Sequence, residues 1–430
     1  MKITKRILFL LLTVVMVTSL LASCGTKQTA DSGTSDPAEN TTENVSENTT
    51  EDTTPYKLGV LTTISGPNGF LGLDIVDALN LEVAKLNSEG GVNGHPVELV
   101  IEDDGFDSAK AVNGFNKLAM EDEVLAVLGL MGEPLEASVR PLAEKYEIPF
   151  ITNVPSVPST RDIGAKWTFS ASQNEIQDVA LWVQWCKDNN FTNVAFLQTN
   201  DALNEARLGE AQKQLPAAGI TLNVLPDQIN FNSVDVTPEV MKLKELVDET
   251  GSQAVLMTVW PNLIPSVLKA AIAIDLDVPF TQYCEAGDSS LLAMGGEELE
   301  GYRQMGFKLL AASDLPDNDP QKAVCVDFAD RFMAEYDRIA GVEDSWAHDA
   351  LAIIVNGLAT SGADASKLRD AIENKTKNFI GTSGIYNYSA TQHDGLGVDS
   401  MGWYIIKDHQ FVMYKDNIMV DGQLQVIDIK

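Results

Sequence analysis

The sequence predicts an α/β protein built as two doubly wound lobes. Three observations carry this expectation. Short apolar runs that suit buried strands alternate with segments of helical period from Tyr56 to Gln282. Loops rich in Gly, Pro, Asn and Asp separate them. A chain of 430 residues is also long for one core, which favours two lobes.

The first unit sets the pattern. Tyr56–Thr63 is rich in Leu, Val and Thr and alternates poorly, as a strand buried on both faces does. Ile64–Gly72 follows as a loop, with Pro67 and glycines at 66, 69 and 72. Val76, Leu79, Val83 and Leu86 then recur at helical spacing as one apolar stripe. A Gly-rich turn, Asn87–Gly94, ends that helix. Val97–Glu102 is the second strand, and acidic Asp103–Asp107 marks its end. Such a βαβ unit implies a parallel sheet with a right-handed crossover. Ligands of parallel sheets bind beyond the carboxyl ends of the strands, so Ile64–Gly72 is the first candidate binding loop.

The alternation continues. Ala109–Glu121 is helical, with Val112, Phe115, Leu118 and Ala119 inward; Val124–Leu128 is a strand, and Gly129–Pro134 its loop. Helix Pro134–Tyr146, strand Ile148–Thr152 and loop Asn153–Thr160 complete a first doubly wound lobe. Trp167–Ser172 leads into a second series. Its helices are Gln177–Lys187 (Val179, Trp182, Val183 and Cys186 on one face), Glu205–Ala218, Pro238–Thr250 and Pro261–Ile274. Its strands are Asn193–Gln198, Thr221–Leu225, Ala254–Thr258 and Val278–Gln282. Beyond these, Val324–Tyr336, Ser345–Thr360 and Ala365–Asn374 have helical period, while Ile385–Tyr388, Gly402–Lys407 and Gln410–Tyr414 suit strands.

Composition narrows the function. The net charge of −32 lacks the basic footprint that nucleic acid requires, so no nucleic-acid partner is expected. The amino terminus carries Lys2, Lys5 and Arg6, then an apolar stretch Ile7–Leu21 of signal-peptide length. It ends Leu21-Ala22-Ser23-Cys24, which resembles a bacterial lipobox, cleaved before a cysteine that then carries lipid. Residues 1–23 are therefore expected to be a lipoprotein signal peptide. Residues 24–55 would be lipidated Cys24 and a disordered acidic tether, because Thr26–Thr54 has almost nothing apolar to bury. The expected location is extracytoplasmic, anchored by lipid to a bacterial cell membrane.

Cys186, Cys284 and Cys325 remain; they read as buried free thiols, or as one bridge such as Cys284 to Cys325 beside a free thiol. No Cys/His spacing suits a metal, and no cofactor is expected. GxSxG, Walker A, HExxH and GxGxxG motifs are all absent, which argues against an enzyme.

The blocks Lys57–Gly72 (KLGVLTTISGPNGFLG), Leu86–Ala109 (LNSEGGVNGHPVELVIEDDGFDSA), Ile148–Asn153 (IPFITN) and Trp346–Ala359 (WAHDALAIIVNGLA) resemble a known family. It is that of type I periplasmic binding proteins, in particular the solute-binding proteins of ABC transporters for leucine, isoleucine and valine. The resemblance implies two lobes joined by three short crossovers, with the ligand in the cleft between them. Lobe 1 would span 56–172 plus 308–383, and lobe 2 would span 173–307 plus 384–430. It further implies a monomer that captures a small molecule, an amino acid or analogue, and delivers it to an ABC permease and ATPase complex. A ligand-sensing component for a separate membrane receptor is the alternative role. An amide, aromatic or cationic small molecule is the alternative ligand.

The resemblance also transfers a site. Loops after the third and fourth strands of lobe 1 would hold a ligand carboxylate, with Ser156 supplying a hydroxyl and Val154 backbone groups. Glu133 stands where relatives place a small or hydroxyl residue. A carboxylate there would repel the ligand's own by about 4 kcal/mol at about 4 Å and a dielectric near 20. Either Glu133 turns away, as a favoured acid at a helix N-terminus, or the ligand is no ordinary amino acid. In lobe 2, Glu285 is the match for the acid that pairs with a ligand ammonium, with Asp288 as the fallback. Trp260 stands at the aromatic wall. The tyrosine of relatives is missing from Asn200-Asp201-Ala202-Leu203. Phe70, beside Gly69 and Leu71, would line the side-chain pocket, and Trp346 is a further contact.

Overall fold

Strand β1 (Tyr56–Thr62) is apolar on both faces because it has parallel neighbours on both sides, β2 (Val97–Asp103) and β3 (Ala126–Gly129). We describe it from a computed structural model, over residues 53–66, 69–130, 132–154, 165–230, 232–283, 289–397 and 400–413. The chain divides into two units between Glu51 and Asp52, and all described residues belong to the second.

The first sheet has the order β2-β1-β3-β4-β5, all parallel, with β4 at Phe150–Thr152 and β5 at Thr168–Ser170. The expected lead-in Trp167–Ser172 carries the last strand of this sheet. Helix α1 (Gly69–Ser88) covers one face; α2 (Ser108–Met120) and α3 (Glu133–Tyr146) cover the other. The stripe of α1 is rotated from expectation: Gly72, Ile75, Ala78 and Leu79 are buried, whereas Val76, Val83 and Leu86 are half-buried. The cause is Gly72, which lies so close to the Thr63 carbonyl that any Cβ would collide with it.

The second sheet has the order β14-β13-β10-β9-β8-β6-β7. Strands β6 (Asn193–Gln198), β7 (Thr221–Val224), β8 (Val255–Thr258), β9 (Phe280–Gln282) and β10 (Arg303–Phe307) are parallel; β13 (Met401–Lys407) and β14 (Gln410–Met413) add antiparallel pairs. Helices α4 (Glu175–Asp188) and α5 (Ala202–Ala217) pack on one face, while α6 (Thr237–Thr250) and α7 (Ile264–Ala273) pack on the other. A short α8 (Ser289–Met294) precedes β10. Pro261–Leu263, expected as the start of a helix, forms a separate 3-10 turn before α7.

Helices α9 (Lys322–Tyr336), α10 (Val342–Ser361) and α11 (Ala365–Lys375) return to the first sheet. The hairpin β11 (Phe379–Ile380) with β12 (Ile385–Tyr386) follows. Tyr386, Tyr388 and Leu396 all bury in the first core, so the chain leaves it later than the expected change at 383/384. The chain crosses between the sheets three times: after β5, after β10 and before β13.

Two of these crossings are bound together. Ser170 N–H donates to the His393 carbonyl at 2.8 Å, Asn174 Nδ2 to Asp394 Oδ2 at 2.7 Å, and Gln177 Nε2 to the Leu396 carbonyl. Asp349 on α10 anchors the same region. Its buried carboxylate accepts from Thr382 N–H (2.7 Å), Thr382 Oγ1 (2.9 Å), Ser383 N–H (2.8 Å) and the Tyr386 hydroxyl (2.9 Å).

Cys186 and Cys325 are free and buried, so no bridge joins Cys325 to Cys284, whose own position lies outside the described residues. Burial pushes the Cys186 thiol up to about 12, and burial also raises that of Cys325. Among the described residues no helix is long and apolar enough to cross a membrane. The signal and lipidation expectations at 1–23 and Cys24 fall outside the described residues.

Candidate functional site

The loop after β1 is fixed by the acids that end β2. Asp103 accepts from Ile64 N–H at 3.0 Å and from Gly105 N–H at 2.9 Å. Burial opposes its charge, but these bonds and one from Ser65 hold its carboxyl below the usual range. Asp104 is fully buried; its Oδ1 accepts from Thr63 Oγ1 and from Phe106 N–H, while its Oδ2 has no partner. Burial raises its carboxyl despite those bonds. The acidic run therefore ties down a loop.

A carboxyl whose native pKa lies above its unfolded value of about 4 favours folding most while protonated. Its contribution declines as pH rises from about 4 through the raised native value. Asp104→Asn is accordingly expected to gain stability relative to the parent as pH climbs, in paired urea melts. A difference that does not vary with pH would remove Asp104 as the titrating group.

Phe70 lies in the first turn of α1, 48% exposed. The turn after β3 has unusual backbone. Gly129 and Gly132 have φ of 112° and 113°, and buried Leu130 has φ 67°, a conformation that costs a non-glycine residue about 1–3 kcal/mol. Leu130 N–H is held by the Leu61 carbonyl at 2.6 Å. Glu133 is the first residue of α3, half-buried and followed by Pro134, where the helix dipole favours an acid. The ring of Phe106 lies against Gly132, beside Glu133. Sequence reasoning passed over Phe106 because it sits in an acidic turn.

After β4, Val154 buries its side chain in the core under α2 and α3, and its N–H already donates to Thr152 Oγ1 at 3.1 Å. Asn153 N–H donates to the Gly129 carbonyl at 3.1 Å, which joins this loop to the one after β3. Ser156 lies outside the described residues.

In the second sheet, half-buried Trp260 follows β8. Its Nε1–H donates to Asp201 Oδ2 at 3.2 Å. Asp201 caps α5: its Oδ1 accepts from Asn204 N–H at 3.0 Å, and its Oδ2 from Thr199 Oγ1 at 2.7 Å and Asn204 Nδ2 at 2.8 Å. Asn204 Oδ1 accepts from Arg207 Nη1 at 3.2 Å. Fully buried Arg207 pairs through Nε with Asp178 Oδ2 at 2.8 Å, and its guanidinium lies 3.7 Å from the Tyr283 ring centroid. The loop that lacks a tyrosine thus supplies Asp201, which orients Trp260. The signal for it was an acid three residues before Asn204, a helix-cap pattern. Glu285 and Asp288 lie outside the described residues. Trp346 is fully buried in the first core, its ring edge-on to Phe307 at 6.1 Å.

Loops at the carboxyl ends of two α/β sheets, one rimmed by exposed aromatics and the other by an oriented tryptophan, define a class. The fold is that of type I periplasmic binding proteins. It matches an extracellular ligand-binding receptor from Rhodopseudomonas palustris HaA2 with TM-score 0.73 and 20% identity, over 84% of this chain and 99% of that one. It also matches a solute binding protein of an ABC transporter from Rhodopseudomonas palustris BisB5, in complex with 3,4-dihydroxy benzoic acid. There the TM-score is 0.70 and the identity 17%, over 84% and 96% of the two chains. Residues 55–406 match the family described as Periplasmic binding protein, and the chain belongs to that family, whose members bind solutes. A leucine-, isoleucine-, valine-, threonine- and alanine-binding protein from Pseudomonas aeruginosa is 25% identical over 368 residues, 84% of this chain and 89% of that protein.

Proposed function

We propose that this protein is an extracytoplasmic solute-binding lipoprotein that captures an amino acid, of branched-chain type or a close analogue, for an ABC importer. The observation that carries the proposal is Trp260, presented at a strand end and fixed by Asp201 within a fold of solute-binding proteins. The similarity to a Pseudomonas protein named for leucine, isoleucine, valine, threonine and alanine supports the amino-acid class. A structural neighbour holding an aromatic acid supports the second reading, an aromatic ligand.

In the proposal, lobe 1 is 56–172 with 308–383 extended through Leu396, and lobe 2 is the remainder from 173 onward. Phe70, Glu133, Ser156 and the backbone of Val154 from lobe 1, with Trp260 and Glu285 from lobe 2, face the ligand. Cys24 carries the lipid, and residues up to 55 form the tether. Only a ligand that prefers the closed arrangement can draw the lobes together.

A thermal-shift screen across amino acids, amides, aromatic acids and cationic amines tests this. A true ligand at 100 times its dissociation constant adds about 2.7 kcal/mol of stability. Trp260→Ala is expected to weaken that ligand at least tenfold in calorimetry, with an unchanged circular dichroism spectrum. Equal affinity would remove Trp260 from the site.

A further inference from the structure

Polar groups without partners gather at one end of one face of the first sheet. Val60, Ile151, Phe169 and Ala171 pack in the core beneath α1 and α10. Strand alternation carries that face onward to Thr62, Asn153 and Gln173 at the carboxyl ends of β1, β4 and β5. The alternation holds past β5, since Ser170 Oγ and Ser172 Oγ lie 3.0 Å apart on the opposite face. The β4 and β5 extensions are joined by Ala171 N–H to the Thr152 carbonyl at 3.0 Å. Trp346, one turn into α10, packs in the same core.

All four residues are 0% exposed. Both amide atoms of Asn153, both of Gln173, Thr62 Oγ1 and Trp346 Nε1 have no hydrogen-bond partner. Buried polar groups are nearly always satisfied, so such a concentration is the mark of a place where something else supplies the bonds. Asn153 N–H donates to the Gly129 carbonyl at 3.1 Å, so the group lies at the carboxyl ends of β3 and β4, where the proposed ligand site begins.

The four groups share a chemistry: all are neutral, and together they offer amide, indole and hydroxyl donors as well as amide and hydroxyl acceptors. An aliphatic side chain would leave every one of them unpaired, at a loss of about tenfold or more in affinity for each. A site built to bond a polar group rejects its apolar isostere. We infer that Asn153, with Gln173, Thr62 and Trp346, receives a neutral group bearing both donor and acceptor, a carboxamide, so that the ligand is an amide-bearing amino acid or analogue rather than an aliphatic one. This rests on the solute-binding reading above, keeps its amino-acid class and replaces the branched-chain side chain with a carboxamide.

The test is isothermal titration calorimetry on the full mature chain with two isosteric pairs, L-asparagine against L-leucine and L-glutamine against L-methionine. At least one amide is expected to bind tenfold or more tightly than its apolar counterpart. Asn153→Leu is expected to abolish or reverse that preference. Gln173→Met serves as a second variant at a different backbone position, should Asn153→Leu fail to fold. Trp260→Ala should weaken binding without altering the preference. Leucine or methionine binding as tightly as the amides, or a preference untouched in both variants, would overturn the inference. A ligand from the wider screen that binds in a Trp260-dependent way while all four probes fail sinks the carboxamide assignment alone. If no compound stabilises the protein, the solute-binding reading falls with it.

Discussion

Replacing Asp349 by alanine is expected to destabilise the protein by about 4 kcal/mol. Its carboxylate receives two backbone N–H groups, from Thr382 and Ser383, and the hydroxyls of Thr382 and Tyr386, all of them buried. Removing the acceptor strands those donors away from water, and each stranded group costs about 1–3 kcal/mol. Both hydroxyls keep alternative acceptors, Tyr386 in the Ala171 carbonyl at 2.7 Å and Thr382 in the Ser345 carbonyl at 3.2 Å, which leaves the two backbone N–H groups as the main loss. The melting temperature should fall on the order of 5 °C. A fall of less than about 2 °C in calorimetry would mean that the 381–386 segment is held by other contacts.

Arg207→Met carries the second large effect. The ion pair with Asp178 has no exposure on either side. Breaking a buried pair from one side costs about 3–5 kcal/mol, because the remaining charge has no counterpart. Here the remaining carboxylate already has one unpartnered oxygen, Oδ1. Burial pushes Asp178 up, and Arg207 is the group that pulls it down. In the variant, protonation of Asp178 relieves the penalty, so the loss of stability should shrink as pH falls toward about 4. The double variant Arg207→Met/Asp178→Leu should recover most of the loss. Failure of the double variant to exceed the single one in urea melts would place the loss in the stacking on Tyr283 instead. Ligand affinity should fall in the single variant too, because Arg207 braces Asn204, which braces Asp201 against Trp260.

What could be read from sequence follows where the stabilising contacts lie. Strand β1 was legible because its neighbours cover both faces, which makes its own residues apolar. Strand β10 was not. Arg303, Gln304 and Gly306 break its apolar pattern, and its burial comes from pairing with β9 and with β13 far downstream, such as Met305 opposite Trp403. Trp260 was legible as an aromatic at a strand end. Its orientation by Asp201 was not, since the two residues are remote in sequence and meet only because β6 and β8 are neighbours. Asn153 looked like one more loop residue in IPFITN. It is fully buried at the end of β4, between β3 and β5, which local pattern cannot show.

The two buried thiols make the protein its own stopwatch. Cys325 sits in the core of the first sheet and Cys186 in a core of the second. Both are held in the unreactive protonated form at neutral pH. An alkylating reagent can reach either one only when its own half of the molecule opens. The rates at which the two sites are modified therefore time the breathing of each half separately, with no residue changed beforehand.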